Sequence, residues 1–292
     1  MQKVLITGID SFTGRHLASH LELSGYDVYG TSLFKAGDKK YKCDITKKEE
    51  LLAVFKQVTP EFIIHLSAIS FVGHGNNEEF YRVNTIGTTN ILDALLERNI
   101  KPKKVILVSS ATIYGNQGLE VLDESLCPKP ANHYGASKYA MESLATSYFS
   151  KLPIIITRPF NYTGVHQAPQ FLIPKIVSHF KEKKKTIELG NLHVSREFND
   201  IKFVCEVYKR LLETTKDSIT LNIASNRGIK LLDVIAMMQE IVGYEIKVEV
   251  NPDFVRPNEI KTLTGSAKNL FETIGEVELQ SFKQTLTQMY EA

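Results

Sequence analysis

Tyr134 and Lys138 stand four residues apart in the segment YGASK, so in a helix they share one face. A free phenol has a pKa of about 10, too high for efficient proton transfer near neutrality, and a neighbouring cation favours the phenolate. Lys138 can supply that cation. Upstream, Ser110 opens the run SATIYG directly after the apolar stretch VILVS at 105–109. A hydroxyl at the end of a buried strand can hydrogen-bond a reacting oxygen and orient it. Ser110, Tyr134 and Lys138 together describe a proton-transfer site. The Tyr–Lys spacing alone arises often by chance, and its weight comes from the company it keeps.

That company begins at residue 8. The first apolar stretch runs into TGIDSFTG, with glycines at positions 8 and 14, and helical spacing follows. Gly8 suits a tight turn and Gly14 a close approach of helix to strand. Backbone N–H groups at the helix start then face a phosphate, the context of a dinucleotide pyrophosphate. A glycine pair could also serve any tight strand–helix turn. At the end of the second strand, residues 31–34 hold no Asp or Glu to receive a ribose 2′-hydroxyl. Thr31, Ser32 and Lys35 offer hydroxyls and a cation, which favours NADP(H) over NAD(H). Asp44 can reach the adenine amino group or cap the helix that follows.

The elements that must position these residues are legible as alternating short apolar strands and helices. Strands are expected at 3–7, 27–30, 41–43, 61–66, 105–109 and 153–157, and helices at 12–23, 47–58, 77–98 and 132–150. Buried strands separated by helices imply a parallel sheet covered on both faces, with ligands at the carboxyl edge. The fold class is therefore α/β, a Rossmann-type doubly wound parallel sheet. After about residue 160 the pattern loosens into helices at 171–181, 201–214, 231–242 and 279–290 and strands at 186–189, 219–223 and 246–250. A smaller C-terminal α/β substrate lobe over 161–292 is expected beside a dinucleotide domain over 1–160, with a soft and partly interleaved boundary.

Composition narrows the partners. Lys plus Arg is 35 and Asp plus Glu 33, a formal net charge of +2, which lacks the field of a nucleic-acid or membrane-surface binder. The basic run at 181–185 reads as a solvated helix end or a polyanion contact. Three widely spaced cysteines, 43, 127 and 205, fit a reducing compartment and give no zinc pattern. The opening MQKVLITGID reads as a strand rather than a leader, and no apolar run approaches the 18–20 residues of a membrane span. A cytoplasmic protein without metal, nucleic-acid or membrane partner is expected.

The motifs TGIDSFTG, Asp44, HLSA at 65–68, VNTIGTTNILDA at 83–94, SSATIYG, YGASK and RPFNYTG at 158–164 are together similar to those of the extended short-chain dehydrogenase/reductases that act on nucleotide sugars. The resemblance covers nearly the whole chain. GNLHVSREFND at 190–200 and VRPNEIKTLTGSAKNL at 255–270 most resemble the subgroup that reduces GDP-4-keto-6-deoxy-D-mannose. The resemblance implies Ser110, Tyr134 and Lys138 as the catalytic triad, with Lys138 also on the nicotinamide ribose. It implies a dinucleotide lined by Gly8, Ser11, Phe12, Gly14, Thr31, Ser32, Asp44, Ile45, Leu66, Ser67, Ala68, Asn84, Ser109, Tyr134 and Pro159. For a GDP-hexose substrate it implies Ser70, Ser110, Thr112, Asn161, Phe171, Asn191, Arg196, Arg256 and Glu259, the arginines on the diphosphate side. Arg196 and Arg256 could instead pair with acids such as Asp200 and Glu259. The helices at 77–98 and 132–150 imply a homodimer, although their apolar stripes could equally cover the sheet.

Four positions depart from the family pattern. Ser11 replaces the usual middle glycine, and Leu33 stands where close reductases often carry Arg. Ala111 and Thr112 replace the acidic residues that dehydratases use to remove a proton beside a carbonyl, which argues against dehydration. Simple ketone reduction remains, with a nucleotide-sugar 4-epimerase holding NAD tightly, or a dinucleotide sensor without turnover, as the other readings.

Overall fold

Strand and helix alternate from the first residues because the apolar strands are too short to be buried without helices on both faces. The computed structural model describes residues 1–71, 75–255 and 259–292. In chain order the elements of the first half are β1 (Lys3–Thr7), α1 (Phe12–Leu23), β2 (Asp27–Ser32), β3 (Lys40–Lys42), α2 (Lys48–Gln57), β4 (Phe62–His65), α3 (Asn77–Phe80), α4 (Gly87–Glu97), β5 (Lys104–Val108), α5 (His133–Thr146) and β6 (Ile154–Pro159). The second half adds β7 (Tyr162–Thr163), α6 (Leu172–Lys181), β8 (Thr186–Leu189), β9 (Ser195–Glu197), β10 (Asn199–Asp200), α7 (Ile201–Glu213), β11 (Ile219–Ile223), β12 (Gly228–Lys230), α8 (Leu231–Val242), β13 (Lys247–Val250), β14 (Thr262–Leu263), α9 (Lys268–Ile274) and α10 (Phe282–Glu291).

Among the described residues the main sheet has seven strands in the order β11-β6-β5-β4-β1-β2-β3. Every pairing in it is parallel. Strand order reverses between β1 and β4, the switch point of a Rossmann-type fold. The period of two along the strands is visible in the core. Val4, Ile6, Ile64, Ile106 and Ile155 pack under α1 and α7, whereas Leu5, Ile63, Val105, Leu107, Ile154 and Ile156 pack under α2, α4 and α5.

Residues 201–223 return to this sheet after residue 160, as α7 and the edge strand β11. The rest of the second half has its own core, in which α6, α8 and α10 cover β8 and its neighbours. Short pairings, β12-β9-β14, β13-β8 and β10-β7, complete it. A smaller cluster of Ala111, Ile113, Tyr114, Phe160, Ala224, Ile260 and Leu263 joins this lobe to the carboxyl edge of the sheet.

One expected helix is remodelled. The stripe at 77–98 is not continuous, because residues Tyr81–Ile86 form a π-helical stretch between α3 and α4. The wider turn lets Asn84 bond the backbone of Ile69 in both directions, at 2.9 and 3.1 Å, and the Ser137 hydroxyl at 3.0 Å. The last helix starts at Phe282, later than expected, because Ser281 and Gln284 form a capping box.

Candidate active site

The loop after β1 is shaped by its glycines. Gly8 has φ +70°, and a side chain there would press on Ser67 at 3.1 Å. A side chain on Gly14 would meet the Gly8 carbonyl oxygen at 2.5 Å. Ser11 needs no glycine conformation: at φ −66° it caps α1, its hydroxyl accepting from the Gly14 N–H at 3.0 Å. The loop thus keeps a tight turn against a helix start despite the missing middle glycine. Leu66, Ser67 and Ala68 lie half-buried just after β4, and Ser67 donates its N–H to the Thr7 hydroxyl at 3.2 Å. Ser109, at the end of β5, has a buried hydroxyl with no hydrogen-bond partner among the described residues. A cradle that admits no side chains, an open helix start and an unpartnered hydroxyl fit a dinucleotide.

Two expected cofactor contacts take a different form. Thr31 and Ser32 are buried, and the Ser32 hydroxyl accepts from the N–H groups of Phe34 and Lys35 at 3.2 and 3.4 Å. These hydroxyls are therefore not simply turned outward toward a phosphate. The Asp44 carboxylate folds onto Thr46, accepting from its N–H at 3.0 Å and its hydroxyl at 2.8 Å, and does not cap α2. Buried Ile45 packs against Gly87, where a side chain would meet it at 2.7 Å, and its carbonyl receives Asn90 at 3.0 Å.

Tyr134, Ser137 and Lys138 occupy the buried face of α5, whose start is capped by Asn132 accepting from the Gly135 N–H at 2.9 Å. The Tyr134 hydroxyl lies beside Ser110, whose side chain favours the phenolate. Ser110 Oγ accepts from the Thr112 N–H at 3.2 Å and the Thr112 hydroxyl at 2.9 Å. Two donors therefore occupy its lone pairs, which leaves its own proton for Tyr134 or an incoming oxygen. Burial pushes the Tyr134 phenol up to about 12, against the pull of Ser110, so it rests neutral and proton-bearing. Lys138 donates to the Val108 carbonyl at 2.6 Å, and burial brings its ammonium down to about 8. The arrangement can hand a proton to an oxygen placed at Ser110 and Tyr134.

On the side away from the glycine loop, Ser70 is exposed, and the neighbouring Phe71 ring meets Phe171, the N-cap of α6, edge-on at 6.3 Å. Asn161 follows buried Pro159 and Phe160, and its carbonyl receives the Asn199 N–H at 2.9 Å. Asn191 is half-buried after β8. Arg196 bonds Glu259 at 2.6 Å, the carbonyls of Ser195 and Lys261 at 2.8 and 3.2 Å, and that of Ile260. The pairing alternative thus holds for Arg196 with Glu259. Asp200 is engaged elsewhere, capping α7 through Lys202 and accepting from Thr285 and Gln280. Arg256 lies outside the described residues.

One expected residue is engaged differently, and others that matter here escaped sequence reasoning. Thr112 grips Ser110 rather than standing free for substrate. Behind α5, Arg158 makes a bidentate pair with Glu142, its shortest contact 2.7 Å, and bonds the Tyr114 hydroxyl at 2.9 Å. Tyr114 donates onward to Asn222 at 2.7 Å. A lone carboxylate one turn beyond Lys138 on the same helix, with an arginine in an apolar strand, was the available signal.

A model of the NAD dependent epimerase/dehydratase family matches residues 4–224. The chain is 35% identical over 290 residues to GDP-6-deoxy-D-talose 4-dehydrogenase of Aggregatibacter actinomycetemcomitans, covering 99% of this chain and 97% of that protein. It is 26% identical over 296 residues to GDP-6-deoxy-D-mannose reductase of Pseudomonas aeruginosa, covering 98% and 95%. The solved structure of RMD from Pseudomonas aeruginosa complexed with NADPH superposes with a TM-score of 0.87 at 25% identity, covering 100% of this chain and 97% of that one.

Proposed function

Because the chain belongs to the NAD dependent epimerase/dehydratase family, of the extended short-chain dehydrogenase/reductase type, we propose that it reduces the C4 ketone of a nucleotide-linked 4-keto-6-deoxyhexose. The substrate proposed is GDP-4-keto-6-deoxy-D-mannose, and the product GDP-D-rhamnose or its C4 epimer. Similarity to a GDP-6-deoxy-D-talose 4-dehydrogenase and a GDP-6-deoxy-D-mannose reductase supports the GDP sugar and position C4. NADP(H) is the coenzyme proposed first, since no carboxylate stands at 31–34 and lysines 35 and 40 bring cations to the end of β2.

The observation that carries the reading is a buried, neutral Tyr134 phenol beside Ser110, with no carboxyl group at 111 or 112. Reduced nicotinamide, when bound, supplies the hydride. Gly8, Ser11, Phe12 and Gly14 hold the pyrophosphate, and Ser67, Ala68, Asn84, Ser109 and Lys138 line the nicotinamide end. Tyr134 donates its proton to the oxygen that becomes the alcohol, while Ser110 donates a hydrogen bond to the same oxygen. Both donors are aimed where charge develops, which lowers the barrier rather than merely tightening binding. The Lys138 ammonium then stabilises the Tyr134 phenolate until water returns the proton. Arg196 and Arg256 meet the diphosphate and Glu259 the nucleoside ribose, a role that requires the Arg196–Glu259 pair to open.

The test is oxidation of added NADPH by GDP-4-keto-6-deoxy-D-mannose, followed at 340 nm. Turnover by the purified, coenzyme-free protein is expected, with Tyr134→Phe slower by at least about 100-fold. Tightly retained NAD(H) with no net oxidation of added coenzyme indicates a 4-epimerase. Binding without turnover of any keto sugar indicates a sensor. For assembly we propose a homodimer across α5 and the Tyr81–Ile86 stretch, where Ile86, Tyr139 and Leu144 stay exposed after the inner helix faces have covered the sheet.

A further inference from the structure

Accepting that this chain binds a nicotinamide dinucleotide, the end of β2 carries a carboxylate that the sequence of β2 does not. The phosphate loop lies across this strand end. The N–H groups of Gly8 and Ile9 both donate to the Thr31 carbonyl, at 3.0 and 3.1 Å. Ile9 sits over Gly30, where an added side chain would meet it at 2.5 Å, so Gly30 is what lets the loop come so close. The next residue, Asp10, is thereby held beside Ser32, the last residue of β2, whose side chain favours the ionised carboxylate. The Ser32 lone pairs take the N–H groups of Phe34 and Lys35, so this hydroxyl faces its surroundings as a donor. From the other side Lys40, at the start of β3, reaches Asp10 Oδ1 at 2.9 Å. The Asp10 and Lys40 side chains are 36% and 20% exposed, open enough for a ligand to reach both.

A carboxylate at the end of β2 accepts the ribose 2′-hydroxyl of NAD(H), and a cation there receives the 2′-phosphate of NADP(H). We propose that Asp10 supplies this carboxylate from the phosphate loop and Lys40 this cation from β3, so the chain uses both coenzymes and discriminates through this pair. With NAD(H), Lys40 stays on one carboxylate oxygen and the ribose hydroxyl donates to the other. With NADP(H), Lys40 leaves Asp10 for the 2′-phosphate, and the carboxylate becomes the opposing charge. The two substitutions must therefore act in crossed directions.

The experiment is calorimetric titration of NADH and NADPH into the full-length protein and the variants Asp10→Asn and Lys40→Gln, with kcat/KM for each coenzyme alongside. Asp10→Asn, an isosteric change at a partly exposed position, is expected to weaken NADH about tenfold and to leave NADPH unchanged or tighter. Lys40→Gln is expected to weaken NADPH about tenfold with little effect on NADH. Parallel changes for the two coenzymes, or none, overturn this assignment while leaving the oxidoreductase reading intact. A wild-type protein that binds neither dinucleotide overturns that reading and this one together.

Discussion

Lys138 is buried with only a backbone carbonyl as its hydrogen-bond partner among the described residues, a cost to the fold that the proposed proton transfer puts to use. Desolvation lowers its pKa from 10.5 to about 8, opposed by the charge of Glu142. The sign of the linkage follows. Between pH 8 and 10.5 the unfolded chain holds a proton that the native chain has released, so the contribution of this group to stability rises with pH across that window. Below pH 8 both states are protonated and the penalty is constant. Relative to Lys138→Met, the wild type is expected to gain on the order of 2 kcal/mol between those limits, read by urea unfolding at each pH. Parallel pH profiles for the two proteins would refute the desolvated ammonium. At this scale much was legible in the sequence. Ser110, Tyr134 and Lys138 follow from residue type and spacing, because one helical turn relates the last two. Asp10 was missed because its role depends on how closely a loop crosses β2, which Gly30 permits but no spacing announces. The Arg196–Glu259 contact spans 63 positions and could be named only as one alternative.

Helix α5 must hold Tyr134 and Lys138 in register with β5, and two devices do so. At its start Asn132 caps it and Ser137 returns a hydrogen bond to the Tyr134 carbonyl at 2.8 Å. Further along, Glu142 is clamped by Arg158 from β6, and both side chains are buried. Removing one member leaves an uncompensated buried charge, so Glu142→Leu is expected to cost about 3–5 kcal/mol. The double variant Glu142→Leu/Arg158→Met is expected to recover a large part of that loss, because replacing a whole buried pair with apolar groups is often near neutral. A denaturant double-mutant cycle checks this, and additive losses would contradict it. Most helices and sheet strands were legible, since α1, α8, β1 and β11 have clear periods and end at turn residues. The π-helical stretch at Tyr81–Ile86 was not, because the apolar stripe on either side of it reads as one helix. The two-residue strands β7 and β10 were invisible for a related reason: a period of two cannot show in so few positions.

The two lobes meet where the strands end, and there the chemistry of the whole molecule is assembled. To the proposed site the sheet brings the glycine loop and Ser109–Ser110, and the second lobe brings Arg196 and Glu259, here paired with each other. Residues 201–223 stitch the lobes by returning to the sheet, so the proposed reacting groups sit on a rigid edge and the proposed specificity groups on short strands and loops. The doubly wound sheet was legible from alternating buried strands. The return of β11 to its edge was not, since local period fixes an element but not its neighbour. The most direct test of the account uses NADPH carrying deuterium at nicotinamide C4, on the face that transfers. After reaction with GDP-4-keto-6-deoxy-D-mannose, the product is examined by mass and proton spectra. The account predicts one deuterium bound at hexose C4 for each NADPH oxidised. An unlabelled product, or a C4-inverted sugar formed without coenzyme oxidation, would contradict it.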